Sequence, residues 1–502
     1  MKTKKNLIKI CLLAGLGLIP AGRASSQTFT NLHSFTALSA FPYTNSDGAA
    51  PVGGVVLSGN TLFGTAGSGG KAGQGALFAV HAAGTGGFTN LHSFTALSGL
   101  LFSNSDGGSP VAGLILSGNT LYGAAQQGGS SGYGTVFRVN TDGADFTNLH
   151  SFTATVFDAS SGSIFTNGDG ATPVAGLVLS GNTLYGTAEV GGSSGNGTVF
   201  AVHADGTGGF TNLHNFTATL GPLFTNSDGA GPVAGLVLSG NLLYGTARNG
   251  GVSSNGTVFA VHADGTGGFT NLHSFPGTSS FFHTNSEGAN PLAGLILSGN
   301  TLYGTARNGG AWGKGTVFAI QTDGTSFTNL HDFSGSPGDG ALPVAGLVLS
   351  GDTLYGTTLG GGPADEGTVF ALKTNGMGFT ILYSFTDIPG PLHTNSDGAN
   401  PSGLILSGNT LYGTASAGGS SAEGTVFSLT LPGPPQLTIT RSGTNVVVTW
   451  PANAAGFALQ SATNLVSPSV WNTNLPAPVV VNGQNTVTNA ISSTRQFYRL
   501  TQ

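Results

Sequence analysis

From residue 29 to residue 427 the chain alternates short apolar runs with polar, glycine-rich breaks, and the pattern recurs seven times. The copy from Phe269 to Phe318 is representative. It opens with Phe269-Thr270-Asn271-Leu272-His273-Ser274-Phe275, rich in strand formers. A polar loop leads to Gly294-Leu295-Ile296-Leu297-Ser298, an apolar run of the length expected of a buried strand. Gly299-Asn300 separates it from Thr301-Leu302-Tyr303-Gly304-Thr305. Such a pair predicts a two-residue hairpin turn in which both positions tolerate positive φ. A second glycine-rich loop precedes Gly315-Thr316-Val317-Phe318-Ala319-Ile320, and Thr322-Asp323-Gly324 turns the chain into the next copy. No helical periodicity appears. We name the four strand positions D, A, B and C in the order just given.

The spacing is rigid. The phenylalanine in strand C falls 20 positions after the serine ending strand A in every copy, from Ser58 and Phe78 to Ser407 and Phe427. Each copy is therefore one structural unit that buries its apolar faces against its neighbours. Four-stranded units of this length predict an all-β fold, a seven-bladed β-propeller. A β-solenoid has shorter repeats without these hairpin turns. The phase of the repeat predicts how the ring closes. The chain opens on a lone strand D, Phe29 to Phe35, and the last copy, Pro401 to Leu429, lacks one. Pairing them would complete the seventh blade and remove both exposed sheet edges.

Length varies almost only between strands D and A. Phe327 to Ser350 is 23 positions, whereas Phe146 to Ser180 is 34. In a propeller the D–A and B–C loops emerge on one face, and function concentrates on loops held by a rigid scaffold. Residues that break the symmetry there are the candidate ligand-binding positions: Tyr43, Phe282, His283 and His393 in D–A loops, and Arg248, Arg307 and Trp312 in B–C loops. Exposed aromatics with sparse polar neighbours suit a carbohydrate or protein surface. The alternative is that they pack their own loops.

Every D–A loop ends in an acid, a glycine, two variable residues and a proline. The acids are Asp47, Asp106, Asp169, Asp228, Glu287, Asp339 and Asp397. Asp-Gly makes a tight turn and proline suits the first residue of a strand, so the favoured reading is a structural turn in every copy. The other reading is a ring of carboxylates near the mouth of a central channel. The preceding Thr-Asn-Ser-Asp faintly resembles a calcium loop, but the distal bidentate glutamate is missing. Calcium is the one cofactor the residues suggest. The histidines His33, His92, His150, His214, His273 and His331 occupy one position in strand D, replaced by Tyr383 in the last copy, and read as structural.

Composition narrows the classes further. Residues 1–26 run from a basic start through an apolar core to small residues, which predicts a secretory signal peptide and an exported product. Without that leader's 5 basic residues, 9 of the 14 remain against 20 acidic ones. An acidic chain without basic clusters argues against nucleic acid and anionic membranes. No later apolar run is long enough to span a bilayer. The single cysteine, Cys11, lies in the leader, so the mature product has no disulfide. No nucleophile elbow, paired-histidine metal motif or phosphate loop stands out, and no catalytic residues are assigned.

After a proline linker at residues 431–436 the repeat stops. Residues 437–502 read as a small β-sandwich, with strands at Leu437–Thr440, Val446–Trp450, Phe457–Gln460, Pro478–Val481 and Phe497–Leu500, and with Trp450 and Trp471 in its core.

The motif set resembles the GloVer tandem-repeat family. The match is carried by Asp228-Gly229 through Pro232, Ala234-Gly235-Leu236, Tyr244-Gly245-Thr246 and Gly256-Thr257-Val258-Phe259, and it recurs in all seven copies. The C-terminal segment resembles a fibronectin-like β-domain. The resemblance implies an exported bacterial protein and no particular activity. Together these features predict an extracellular, periplasmic or outer-surface binding or structural scaffold, residues 27–430, with a glycan or protein ligand on the D–A/B–C loop face. The alternative is a polysaccharide-active enzyme, a lyase or glycoside hydrolase, using the same face.

Overall fold

A computed structural model describes residues 27–84, 86–158, 163–279, 282–335, 337–432, 437–451, 458–463, 471–472, 475–490 and 496–501. The expected signal peptide and most of the proline linker lie outside the described residues. The chain is all-β, and no helix occurs among the described residues. Residues Thr28–Thr430 form one compact unit, and Leu431–Gln502 belong to another.

The repeats fold into four-stranded antiparallel sheets, propeller-like in their repetition. One sheet consists of Ile296–Ser298, Thr301–Ala306, Thr316–Gln321 and Thr328–Asp332, in that order. Strand A is shorter than its apolar run. Gly294 and Leu295 precede it as irregular chain because the inner segments of neighbouring sheets approach closely there. A Cβ at Gly294 would sit 3.1 Å from the carbonyl oxygen of Gly235 in the preceding sheet. The hairpin after strand A pairs Ser298 with Thr301. Gly299 takes φ +58°, and Asn300 is not left-handed. Only the first position needs glycine, as in a type II′ turn, which corrects the expectation for both.

Strand B lies beside strand C in strict register, and the motif glycine makes room for the motif phenylalanine. A Cβ at Gly304 would meet Phe318 Cζ at 2.6 Å. Phe78, Phe137, Phe200, Phe259, Phe318, Phe370 and Phe427 are all fully buried. Strands C and D carry a bulge in the same place each time. Phe318 faces Asn329 and Val317 faces His331, leaving Leu330 as the extra residue.

The core lies between successive sheets. Tyr303, Val317 and Phe333 of one sheet pack against Leu347, Leu354 and Phe370 of the next. The first and last repeats meet in the same way. Thr28–Ser34 pairs antiparallel with Thr425–Thr430, outermost in the sheet that includes Ala399–Ser407 and Thr410–Ala417. Phe35, Val55 and Leu62 share a buried cluster with Val426, and Thr414 Oγ1 donates to the Gly53 carbonyl at 3.0 Å.

In the C-terminal unit Thr438–Ser442, Asn445–Pro451, Gln484–Ala490 and Val479–Val481 form one sheet, and Ala458–Ala462 pairs with Phe497–Thr501. Gln484–Ala490 was not foreseen as a strand; its Gln-Asn-Thr-Val-Thr-Asn sequence is polar because only Val487 turns inward. Trp450 is buried against Val448, Leu459 and Val487. Trp471 is not core: it is half-buried, with the Arg499 guanidinium 4.1 Å over its ring. No helix among the described residues is long and apolar enough to cross a membrane.

Candidate functional site

The repeated acids are buried, Asp47, Asp106, Asp169, Asp228 and Asp397 being between 3 and 7% exposed. Each accepts hydrogen bonds from the end of its own strand D. Asp228 Oδ2 takes His214 Nε2 at 2.9 Å and the Thr217 N–H at 3.0 Å, while the Thr217 hydroxyl donates to Oδ1. Burial alone would raise the Asp228 pKa, but the bonds from His214 and Thr217 outweigh it and hold the carboxyl below its ordinary value. The same balance lowers Asp47, Asp106 and Asp169, and bonds from His331 and the N–H groups of Ser334 and Gly340 lower Asp339 against its burial. The fifth copy is thinner: Pro276 replaces the threonine, and Glu287 keeps His273 at 2.8 Å. There burial pushes His273 down despite the attraction of Glu287.

Each histidine also stacks on the phenylalanine that begins strand D of the next sheet. His214 lies 3.9 Å from Phe269, and His273 lies 4.1 Å from Phe327. Tyr383 plays both parts in the last copy. It stacks on Phe29 at 4.1 Å, and its hydroxyl donates to Asp397 at 2.8 Å. The acid thus orients a ring that staples one sheet to the next.

The asparagine two residues before the acid ties the two loops together. Asn226 Oδ1 accepts from the N–H groups of Gly229 and Gly251, and Nδ2 donates to the carbonyls of Thr217 and Gly229. This is why Thr-Asn-Ser-Asp and Gly-Gly recur together. The oxygens that a calcium loop would aim at an ion here face hydrogen-bond donors. Among the described residues no group of three or more His, Cys, Asp or Glu could hold a metal ion.

The D–A loop of each copy therefore lies on its own B–C loop, and the two present one surface. With one exception, Met377, every large apolar residue of the repeats that is described as more than half exposed belongs to these loops. Phe41 and Tyr43 stand in the first copy, Leu100, Leu101 and Phe102 in the second, and Leu220, Leu223 and Phe224 in the fourth. The sixth copy, with the shortest D–A loop, has none among the described residues.

The candidate residues fall into separate groups. Phe282, His283 and Trp312 come together on the fifth copy: a Cβ at Gly313, next to Trp312, would meet the Phe282 carbonyl oxygen at 2.4 Å. Trp312 is 64% exposed. Tyr43 packs edge-on to Phe41, 5.9 Å between ring centres. His393 is exposed on the last D–A loop. Glu366 lies near it; burial, then Asp387 and Asp365, push this carboxyl up, while His393 opposes them.

Arg248 and Arg307 occupy one equivalent position, the first residue after strand B. The others there are Gly67, Gln126, Glu189, Leu359 and, inside the longer strand B of the last copy, Ser416. A Cβ at Gly67 would lie 3.2 Å from Val111 in the next sheet, so side chains from this position reach over the inner segments toward the neighbouring copy. Arg248 Nη2 meets Glu189 Oε1 at 2.8 Å.

Sequence reasoning missed the leucines of the loop tips, although Gly-Leu-Leu-Phe and Gly-Pro-Leu-Phe in otherwise polar loops were a readable signal. It also missed Arg138, which stands on strand C where Ala201, Ala260 and Ala319 stand in other copies and lines an open cavity of about 420 Å³ with Asn140 and Asp145. A second cavity, about 340 Å³, opens on the loop surface between Asn196, Thr219, Phe224, Ala230, Asn249 and Ser254.

Among solved structures the chain is similar to a puromycin hydrolase at 13% identity, covering 84% of this chain and 61% of that one with a TM-score of 0.47. It is similar to a putative 6-phosphogluconolactonase from Bacteroides uniformis at 14% identity, covering 88% and 98%, TM-score 0.43. It is also similar to an oligogalacturonate lyase in complex with manganese at 9% identity, covering 81% and 97%, TM-score 0.43. No curated protein matches it. The Gloeobacter/Verrucomicrobia repeat matches residues 21–221, 100–281 and 277–453, and the chain belongs to that repeat family.

Proposed function

We propose that this chain is an exported binding scaffold: a seven-bladed β-propeller, residues 27–430, followed by a small β-sandwich, with an extracellular glycan or protein held on the D–A/B–C loop face. The observation that carries the binding role is the concentration of the repeats' exposed apolar side chains, Met377 excepted, on those loops. Exposed apolar tips on one face of a rigid ring cost solubility and are a feature of interaction surfaces. Closure of the ring is supported by the pairing of Thr28–Ser34 with Thr425–Thr430. Export is supported by the basic, apolar and small-residue order of residues 1–26.

The test is binding to glycan and protein arrays by the full chain and by a Phe282→Ala/Trp312→Ala variant. Binding should fall at least tenfold in the variant with Tm unchanged. Undiminished binding would remove this face from the function. A second reading, a polysaccharide lyase or glycoside hydrolase on the same face, is favoured by Glu366, a carboxyl on these loops that burial and the nearby Asp387 and Asp365 push up, with His393 close by. Release of oligosaccharides, abolished by Glu366→Gln, would establish it.

A further inference from the structure

We propose that Arg138 and Asp145 of the second copy form a binding site for a free α-amino acid, the guanidinium taking its carboxylate and the aspartate its ammonium group. The site stands apart from the loop face. Thr120 begins strand B (Thr120–Ala125) and Asn140 ends strand C (Thr135–Asn140), so it lies at the opposite ends of the strands, by the A–B and C–D turns. Thr120, Arg138, Asn140, Asp145, Phe146 and Thr147 line the open cavity of about 420 Å³. Thr120 pairs with Asn140, and Thr147 with Arg138, so these side chains share one face of the sheet.

Two departures from the repeat meet there. Where Arg138 stands, the other copies carry Ala79, Ala201, Ala260, Ala319, Ala371 and Ser428. Asp145 directly precedes the phenylalanine that begins strand D, a place taken by Gly87, Gly209, Gly268 and Gly378 in other copies and by Ser326 in the fifth. It takes φ +55°, a left-handed conformation that glycine adopts freely and few other residues accept. Five alanines and four glycines show that the fold itself asks for neither charge.

The two charges share the cavity without meeting. Asp145 lies two residues before Thr147 and so on the diagonal from Arg138, where side chains stand roughly 7–8 Å apart. The Asn140 amide donates to Asp145 Oδ2 at 2.9 Å and holds that carboxylate in place. Among the described residues the Arg138 guanidinium has no ion pair and no hydrogen bond. Arg138 is half-buried and its cavity is open, so a ligand reaches it directly. The guanidinium fork matches a carboxylate through two parallel bonds. A phosphate or sulfate would press further negative charge against Asp145, and a neutral sugar would leave both charges without a counter-charge. An α-amino acid supplies both. The cavity falls within the ~300–1,000 Å³ of small-molecule sites and leaves room for a side chain.

The experiment is equilibrium dialysis of the full chain against a mixture of the standard free amino acids, those retained being identified by chromatography and then titrated singly. At least one should be retained. Its N-acetyl and carboxamide forms, each lacking one of the two charges, should bind at least tenfold more weakly. Arg138→Ala and Asp145→Ser install residues that other copies already carry, so Tm should stay unchanged while affinity falls at least tenfold in each. Retention of no amino acid, equal binding of the blocked forms, or indifference to either substitution would each overturn the site. Phe282→Ala/Trp312→Ala should leave this binding unchanged; a loss there would place the amino acid on the loop face and overturn the site as well.

Discussion

At the residue scale the repeated acid and the repeated histidine explain one another. Read along the chain they look like two motifs, a turn and a strand position, because 14 residues separate His214 from Asp228 and only the folded sheet brings them together. The phenylalanine on which the histidine stacks belongs to the next copy altogether, so that contact was hidden as well. Asp228→Asn removes the charge that accepts from His214 and Thr217. It should destabilise by about 2 kcal/mol, the cost of weakening buried charge-assisted bonds. Glu287→Gln should cost less, because Pro276 leaves that acid without the threonine pair. Chemical denaturation of the two variants compares them directly. The pH dependence has a definite sign. Asp47, Asp106, Asp169, Asp228 and Asp339 all have folded pKa values lowered from 3.8, so their contribution is complete above that value and is lost as pH falls below it. Tm should therefore drop steeply below about pH 4, and Asp228→Asn should flatten the drop.

At the element scale the strands were legible because period and length agree: an apolar run, a two-residue turn and a second run admit few other arrangements. Their edges were less so. Strand A loses Gly294 and Leu295 to a close approach between sheets, which is a tertiary constraint with no local signature. The hairpin of Val156–Asp158 with Ser163–Thr166 inside the third D–A loop was missed, although a short glycine-containing stretch between two apolar runs was a readable hairpin signal. The motif glycine of strand B was visible as a repeat, but its reason was not. Gly304 has ordinary φ, so space and not backbone freedom is at stake there. Gly304→Ala would drive a methyl into Phe318, and the buried ring has nowhere to move. We expect a loss of roughly 1–3 kcal/mol in equilibrium unfolding, the usual range for overpacking a core. The same change at Gly299, where a Cβ meets nothing within 4 Å, should act only through its positive φ and cost about 1 kcal/mol.

At the scale of the whole molecule, stability depends on joining the two ends of the repeat array. The phase of the sequence announced the missing strand, because the first D and the last A-B-C set are complementary. What the chain alone did not reveal is how many separate interactions make the joint. Thr28–Ser34 supplies backbone pairing to Thr425–Thr430, Phe29 stacks between Tyr383 and Phe427, and Phe35 enters the cluster containing Val426. Tyr383 is the one departure from histidine in its series, and it sits at this joint, where it keeps both the stack and the bond to the acid. Without Thr28 to Phe35 the edge at Thr425–Thr430 would be bare and would offer a template for pairing between molecules. Deleting that segment should lower Tm sharply, broaden the transition and cause aggregation visible by light scattering. Moving the same eight residues to follow Thr430 through a short flexible linker, in a chain ending there, should restore a single cooperative transition, because the strand would reach the same edge from its other end. If the deletion variant melted like the parent, the ends would not be joined.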